Sequence, residues 1–183
     1  MDALNIARNL LNGTYKSVYV PDEEDEGIKE YIRMIADTRS ARTKIKQRIN
    51  ALVLRHGMSY PGKSKWTIAH LKWLRELEMQ EAVRETLNEY LAQYDDLTSR
   101  IERYAERLDE FYHLDRYLEK VSELRCIPGI DTTAAMTIHV EISDFTRFPS
   151  ANAFTSYVGL TTGEQSSGDK TNHTGITKQG NMT

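Results

Sequence analysis

Nine apolar and aromatic residues recur in steps of four and three along one stretch of the chain. They are Val83, Leu87, Tyr90, Tyr94, Leu97, Ile101, Tyr104, Leu108 and Phe111. About four heptads of this kind paint a stripe down a single α-helix, and the stripe demands a second helix to cover it. Three of the nine are tyrosines, too bulky for a simple two-stranded zipper. Antiparallel packing on another helix, from the same chain or from a partner, fits equally well, as does a long helix in an ordinary bundle. Leu114, Leu118 and Val121 resume the stripe after an extra three-residue step, a stammer expected to overwind a continuous coil.

The charges flanking this stripe are segregated. Between Tyr31 and Arg75 stand eleven Lys and Arg against one acid, Asp37, whereas Glu76 to Lys120 holds thirteen acids and six bases. The whole-chain charge of −3 conceals this division. A basic block of such density attracts phosphate backbones. The alternative is a solvated helix face that answers the acidic block across a helical hairpin.

The 183 residues, 39% hydrophobic and 28% charged, match an ordinary globular composition and argue against wholesale disorder. No run approaches the ~18 apolar residues of a membrane span. Met1 is followed by Asp2 and an amphipathic stretch, so no signal peptide is visible. Cys126 is the only cysteine and suits a reducing compartment, which places the expected location in the cytoplasm. Ten Gly and four Pro predict long uninterrupted elements.

Around the stripe the pattern is also helical. Leu4, Ala7, Leu10 and Leu11 predict a first helix stopped at Gly13. Tyr15 to Val20 reads as a short extended segment. The acidic run from Asp22 to Glu26 starts a basic helix that carries Ile28, Ile32, Ile35, Ile45, Ile49, Leu52 and Val53 to Gly57. Trp66 to Leu77 forms another. The resulting division is 1–21, a basic helical region 22–77, a coiled-coil arm 78–123, and a compact unit 124–183 where Gly, Ser and Thr replace the heptads.

Three segments carry candidate chemistry. Leu124-Arg-Cys-Ile-Pro-Gly-Ile-Asp131 followed by Thr132 to Ile142 looks like a helix-hairpin-helix. In that element a tight glycine turn at Pro128, Gly129 and Ile130 aims backbone N–H groups at a phosphate. Asp131 stands where many such hairpins have glycine. An acid there caps the second helix, yet it repels a phosphate placed directly on it. A plain packing corner is the other reading. Next, Ser150 is an N-cap, and Phe145, Phe148, Phe154 and Tyr157 read as core. Last come Gln165-Ser-Ser-Gly-Asp-Lys170, His173 and Gly175-Ile-Thr-Lys-Gln-Gly-Asn181. A serine there, near Lys170, His173 and Lys178, is a candidate nucleophile with cations to steady a phosphoryl group. Composition alone makes it an unremarkable polar loop. No Cys/His metal cluster, Walker loop or dinucleotide fingerprint is present.

The order of these segments resembles the C-terminal part of the bacterial insertion-sequence transposases that pair a RuvC-like DEDD domain with a C-terminal serine domain. The resemblance runs through Ile-Pro-Gly-Ile, Ile-Ser-Asp-Phe-Thr-Arg-Phe-Pro-Ser-Ala, Tyr-Val-Gly-Leu, Ser-Ser-Gly-Asp-Lys and Gly-Ile-Thr-Lys-Gln-Gly-Asn. Asp2-Ala-Leu-Asn-Ile-Ala-Arg and Val18-Tyr-Val-Pro extend it toward the start of the chain. It implies a mainly α-helical DNA-binding fragment whose full-length relatives cut and rejoin DNA through a phosphoserine. Ser167 is then the nucleophile, with Ser166 second. Lys170 and Lys178 hold phosphates, Pro128 to Ile130 contact DNA, and Asp2 is a remnant of an acidic set that binds Mg²⁺ in full-length relatives. The same resemblance implies DNA as partner, a guide RNA for some members, self-association through the coiled coil, and a location at the nucleoid. With the other acids missing, the chain is expected to be inactive alone and to hold no metal. A non-catalytic nucleic-acid-binding module and a coiled-coil oligomerisation protein are the alternatives.

Overall fold

The computed structural model describes residues 2–14, 20, 22–160, 162–164 and 173–176. Two long antiparallel helices form a rod, α2 (Glu23–Arg55) and α4 (Glu81–Tyr112). At ~1.5 Å per residue, each runs ~50 Å. A short helix closes each end: α3 (Ile68–Glu76) on one side, and the pair α5 (Asp115–Arg125) and α6 (Thr132–Ile142) on the other. Before the rod lies α1 (Asp2–Leu11), ended by Gly13 at φ +64°. After it come a 3₁₀ turn at Phe145–Arg147, α7 (Ala151–Tyr157), and an antiparallel strand pair, β1 (Thr162–Glu164) and β2 (His173–Ile176). The fold is mainly α, as the periodicity predicts. The extended segment expected at Tyr15 to Val20 lies outside the described residues except for Val20.

The heptad stripe finds its partner inside the chain. Leu87, Tyr94, Ile101 and Leu108, spaced by sevens, are buried against α2, while Tyr90, Leu97, Tyr104 and Phe111 are half-buried. A single opposing helix covers one seam fully and leaves the other at the edge of the contact. Leu91 and Tyr112, outside the stripe, are also buried. The core divides in two because the middle of α2 offers Asp37, Thr38 and Ala41 in place of isoleucine. One half gathers Ile45, Ile49, Leu52, Leu74, Leu87 and Leu91 under α3. The other gathers Ile28, Ile32, Ile35 and Leu108 with Tyr117, Val121, Met136 and Val140. This second core joins α6 to both long helices across the boundary expected at Leu124.

The stammer is a break. The helix stops at Tyr112, Leu114 takes an extended conformation (ψ 141°), and α5 begins at Asp115. Of the three residues read as resuming the stripe, only Val121 is buried; Leu114 and Leu118 face solvent. Ending the helix lets Tyr117 and Val121 turn onto α6, which overwinding would have kept apart. The expected aromatic core after Asp144 is also corrected. Phe148, Phe154 and Tyr157 are half-buried and Phe145 is exposed. Their rings cluster at centroid separations of 5.2–5.6 Å, and the Arg147 guanidinium lies 4.7 Å from the Phe148 ring and 4.8 Å from the Tyr157 ring.

Candidate nucleic-acid interface

The turn between α5 and α6 is built from its own sequence. Pro128 and Gly129 are exposed, and Gly129 sits at φ +92°, a backbone region that favours glycine. A side chain added at Gly129 would meet nothing within 4 Å, so the backbone faces open space. The Ile130 N–H donates to the Ile127 carbonyl at 3.1 Å, which closes the turn, and the Ile130 side chain packs on the core. Among the described residues the Gly129 N–H has no acceptor. Asp131 caps α6, its Oδ1 accepting from the Ala134 N–H at 2.7 Å. The carboxylate therefore occupies one of the donors at the positive end of α6, leaving the N–H groups of Thr132 and Thr133 as the orphan donors of the first turn. Of the three turn residues singled out in sequence, Pro128 and Gly129 present backbone to solvent and Ile130 anchors them.

At the opposite end of α5 from the turn, the start of α2 is clamped to it. Asp22 is the N-cap of α2 and Asp25, in its first turn, is buried. The Tyr117 hydroxyl donates to Asp25 Oδ1 at 3.0 Å, and Arg116 Nη2 lies 3.1 Å from the same oxygen. Arg116 also pairs with Asp22 and Glu24. Burial and the bond to Asp25 push the Tyr117 phenol up to about 12, so it stays a donor. The Asp22 carboxyl is held below its usual value by the Asp25 N–H and then by Arg116. His139 of α6 packs edge-on against Tyr117 at 5.5 Å, and burial lowers its affinity for a proton. Lys29, buried on α2, reaches Glu141 of α6 at 4.0 Å. The contacts of Arg116 and Tyr117 with the start of α2, and of Lys29 with Glu141, join residues more than ninety positions apart, and no sequence spacing could reveal them. The acidic run at Asp22 to Glu26 was legible only as a dipole complement.

The basic block stays largely free. Among the described residues, Arg39, Arg42, Lys44, Lys46, Arg48, Arg55, Lys63 and Lys65 form no ion pair. Among the described residues the acidic block answers it at two points, where Arg75 meets Asp95 at 3.0 Å and where Lys72 meets Glu76 one helical turn on at 3.7 Å. Lys46 lies 5.2 Å from the Trp66 ring and 5.7 Å from the Tyr94 ring, and burial followed by Arg42 pushes its ammonium toward the neutral form. The others keep their charge toward solvent or the surface of the rod.

Ser166, Ser167 and Lys170 fall, in sequence, between β1 and β2, and Lys178 follows β2. All four lie outside the described residues, as does the side chain of Asp2. Reading these positions as a polar loop missed the strand pair that brackets it. Among the described residues no group of three or more His, Cys, Asp or Glu side chains is placed to hold a cation. The described residues do not fit a Mg²⁺ site. No helix among them is long and apolar enough to cross a membrane.

Comparison with known proteins gives a consistent picture. Residues 121–183 match the family described as Transposase IS116/IS110/IS902. The chain is 32% identical over 189 residues to the y4qE protein of Sinorhizobium fredii, named as a transposase, covering 98% of this chain and 43% of that one. It is 32% identical over 127 residues to the transposase for insertion sequence element IS1533 of Leptospira borgpetersenii, covering 68% and 37%. With the transposase for insertion sequence element IS1111A of Coxiella burnetii the identity is 21% over 184 residues, 99% and 50% of the two chains. The chain thus spans half or less of the length of these relatives. No solved structure matches.

Proposed function

Residues 121–183 belong to the IS116/IS110/IS902 transposase family, and from that premise we propose that this chain is the DNA-engaging part of an insertion-sequence transposase. The observation that carries the reading is the open glycine turn at Pro128 to Ile130 inside the family segment. Its backbone is unobstructed, its glycine accepts the required φ, and the first donors of α6 stand beside it. A contact of this kind fixes position on a duplex and reads no sequence. The unpaired Lys and Arg of α2 add nonspecific attraction for phosphates.

Ser167, with Ser166 as second choice, is the proposed nucleophile. Its Oγ gives up its proton to solvent and attacks a DNA phosphorus, an Oγ–P bond forms, one deoxyribose P–O bond breaks, and the displaced sugar oxygen takes up a proton in exchange and leaves as a hydroxyl. Lys170 and Lys178 offset the charge that develops on the phosphoryl oxygens. A DNA hydroxyl resolves the phosphoserine. The remaining proposals are a guide RNA and self-association. The heptad stripe is occupied by α2, so self-association would use the half-buried edge formed by Tyr90, Leu97 and Tyr104.

Fluorescence anisotropy with a labelled duplex tests the binding. If about four phosphates are neutralised, affinity falls about a hundredfold between ~50 mM and ~200 mM salt. Binding that is weak and indifferent to salt would leave the chain a structural element. In a full-length relative, covalent capture of nicked DNA that disappears in Ser167→Ala, at the equivalent position, tests the nucleophile.

A further inference from the structure

We propose that a second site, the aromatic cavity where α2 meets α3, holds one unpaired nucleobase of a single-stranded nucleic acid. The cavity, about 220 Å³, is lined by Tyr60, His70 and Trp73, by Asn50, Ser59 and Lys65, and otherwise by apolar side chains. That is below the ~300 Å³ at which drug-sized sites begin, and suits one planar ring system. Tyr60 and Trp73, both half-buried, supply the ring surface, and His70, 1% exposed, supports them from within. His70 and Trp73 are nearly parallel at 5.8 Å, Tyr60 stands edge-on to His70 at 4.7 Å, and Trp66 packs on the other side of His70 at 5.2 Å.

Some of the polar groups here are left unemployed by the fold. His70 Nδ1 accepts from the Trp66 N–H at 3.1 Å, so the proton of the neutral ring sits on Nε2 as a donor. Burial, then Lys65, keeps the ring neutral by lowering its proton affinity. Among the described residues the side chains of Asn50 and Ser59 make no hydrogen bond. An amide, a hydroxyl and a ring N–H supply the mixed donors and acceptors that a base edge requires. Lys65, on the lining, carries no ion pair among the described residues, and it furnishes the cation that an attached phosphate requires.

The site is held in a costly conformation. Trp66 occupies φ +64°, where a bulky residue is an outlier, and this brings its N–H to His70. A side chain at Gly62 would collide with the Tyr60 ring, so glycine there lets the loop fold over it. Arg84 of α4 fixes α3 from below, donating to the carbonyls of Leu74 and Leu77 at 3.0 Å each. A base in a duplex has both faces stacked and its edge paired, so only an unpaired base enters.

The test is direct because the chain has two tryptophans, Trp73 on the cavity lining and Trp66 packed against His70. Short oligo(dA) and oligo(rA) are titrated separately against the purified chain, alongside a hairpin-closed duplex, with intrinsic tryptophan fluorescence as readout. Quenching by either oligomer and not by the duplex supports the site, and the ratio of the two assigns the sugar. Asn50→Ala and Ser59→Ala, checked for unchanged helix content, weaken quenching about tenfold and less than tenfold respectively. Absence of quenching by both oligomers, equal quenching by the duplex, or indifference to Asn50→Ala overturns the proposal. Duplex binding at Gly129 is read separately by anisotropy, so either proposal can fail alone.

Discussion

Asp131 is pulled two ways. Its carboxylate caps α6 through the Ala134 N–H, and the same charge opposes a phosphate approaching the turn. Asparagine caps a helix as well as aspartate does but carries no charge. Asp131→Asn is therefore expected to leave thermal stability unchanged while tightening duplex binding by about threefold to tenfold, the effect of one unit charge near the phosphate. Equal affinity of the two proteins would mean that DNA does not reach this turn. Tyr117 makes the complementary case, a buried hydroxyl whose loss exposes a need. Tyr117→Phe removes a donor from buried Asp25 and is expected to cost about 1–3 kcal/mol in urea unfolding, nearer the low end because Arg116 remains in place.

The two buried histidines set a pH dependence. Burial lowers the proton affinity of both His70 and His139 below the ordinary 6.5. Each binds fewer protons folded than unfolded, so their contribution is complete above pH 6.5 and is lost as the pH falls from there toward the folded values. The urea midpoint at about pH 5.5 should lie below that at about pH 7.5, and His139→Gln should flatten part of the difference. A midpoint that rises on acidification in this range would reverse the assigned sign.

At the scale of elements, the heptads of α4 specified a helix and a covered face, and both exist. They did not specify which seam would be deep. Leu87 and Leu108 are 0% and 1% exposed, whereas Tyr104 is half-buried and stands edge-on to Tyr31 at 6.0 Å. Leu108→Ala is accordingly expected to cost about 2–5 kcal/mol, and Tyr104→Ala less than Leu108→Ala, measured by chemical denaturation. Should the two be equally damaging, the second seam must be covered in solution, and sedimentation would then show the self-association. The break after Tyr112 was illegible for a related reason. A three-residue phase change is compatible with an overwound coil or with a turn, and burial of Tyr117 and Val121 against α6 selects the turn. Two caps, by contrast, were open to reading: Asp131 and Ser150 each bond to a backbone N–H in the next turn. Such bonds involve neighbours three residues on, within the reach of local sequence.

Across the whole molecule, the distribution of charge decides what the rod offers a partner. Near-neutral overall, the chain leaves the Lys and Arg of α2 almost unanswered by the acids of α4, since the faces that meet are apolar. Reversing two of the exposed charges, Arg39→Glu with Arg48→Glu, is expected to weaken duplex binding and to flatten its salt dependence while helix content stays constant. Unchanged binding would confine DNA contact to the far end of the rod. The family segment begins at residue 121, inside α5, so the turn and its supports belong to a unit whose core is completed by α2 and α4.

Periodicity, caps and glycine positions are local quantities, and from them the chain's own order of residues determined most of its helices, the ends marked by Gly13, Gly57 and Asp131, and the glycine turn at Gly129, though not the break after Tyr112. Order of motifs along the chain likewise carried the family. Which helix covers the stripe, which half of it is sealed, and how Asp25, Arg116 and Tyr117 converge were decided only by tertiary packing. So was the meeting of Asn50, Tyr60, His70 and Trp73 around one cavity. Contacts between distant positions depend on how whole helices cross, and a linear pattern fixes the face of a helix without fixing what that face will meet.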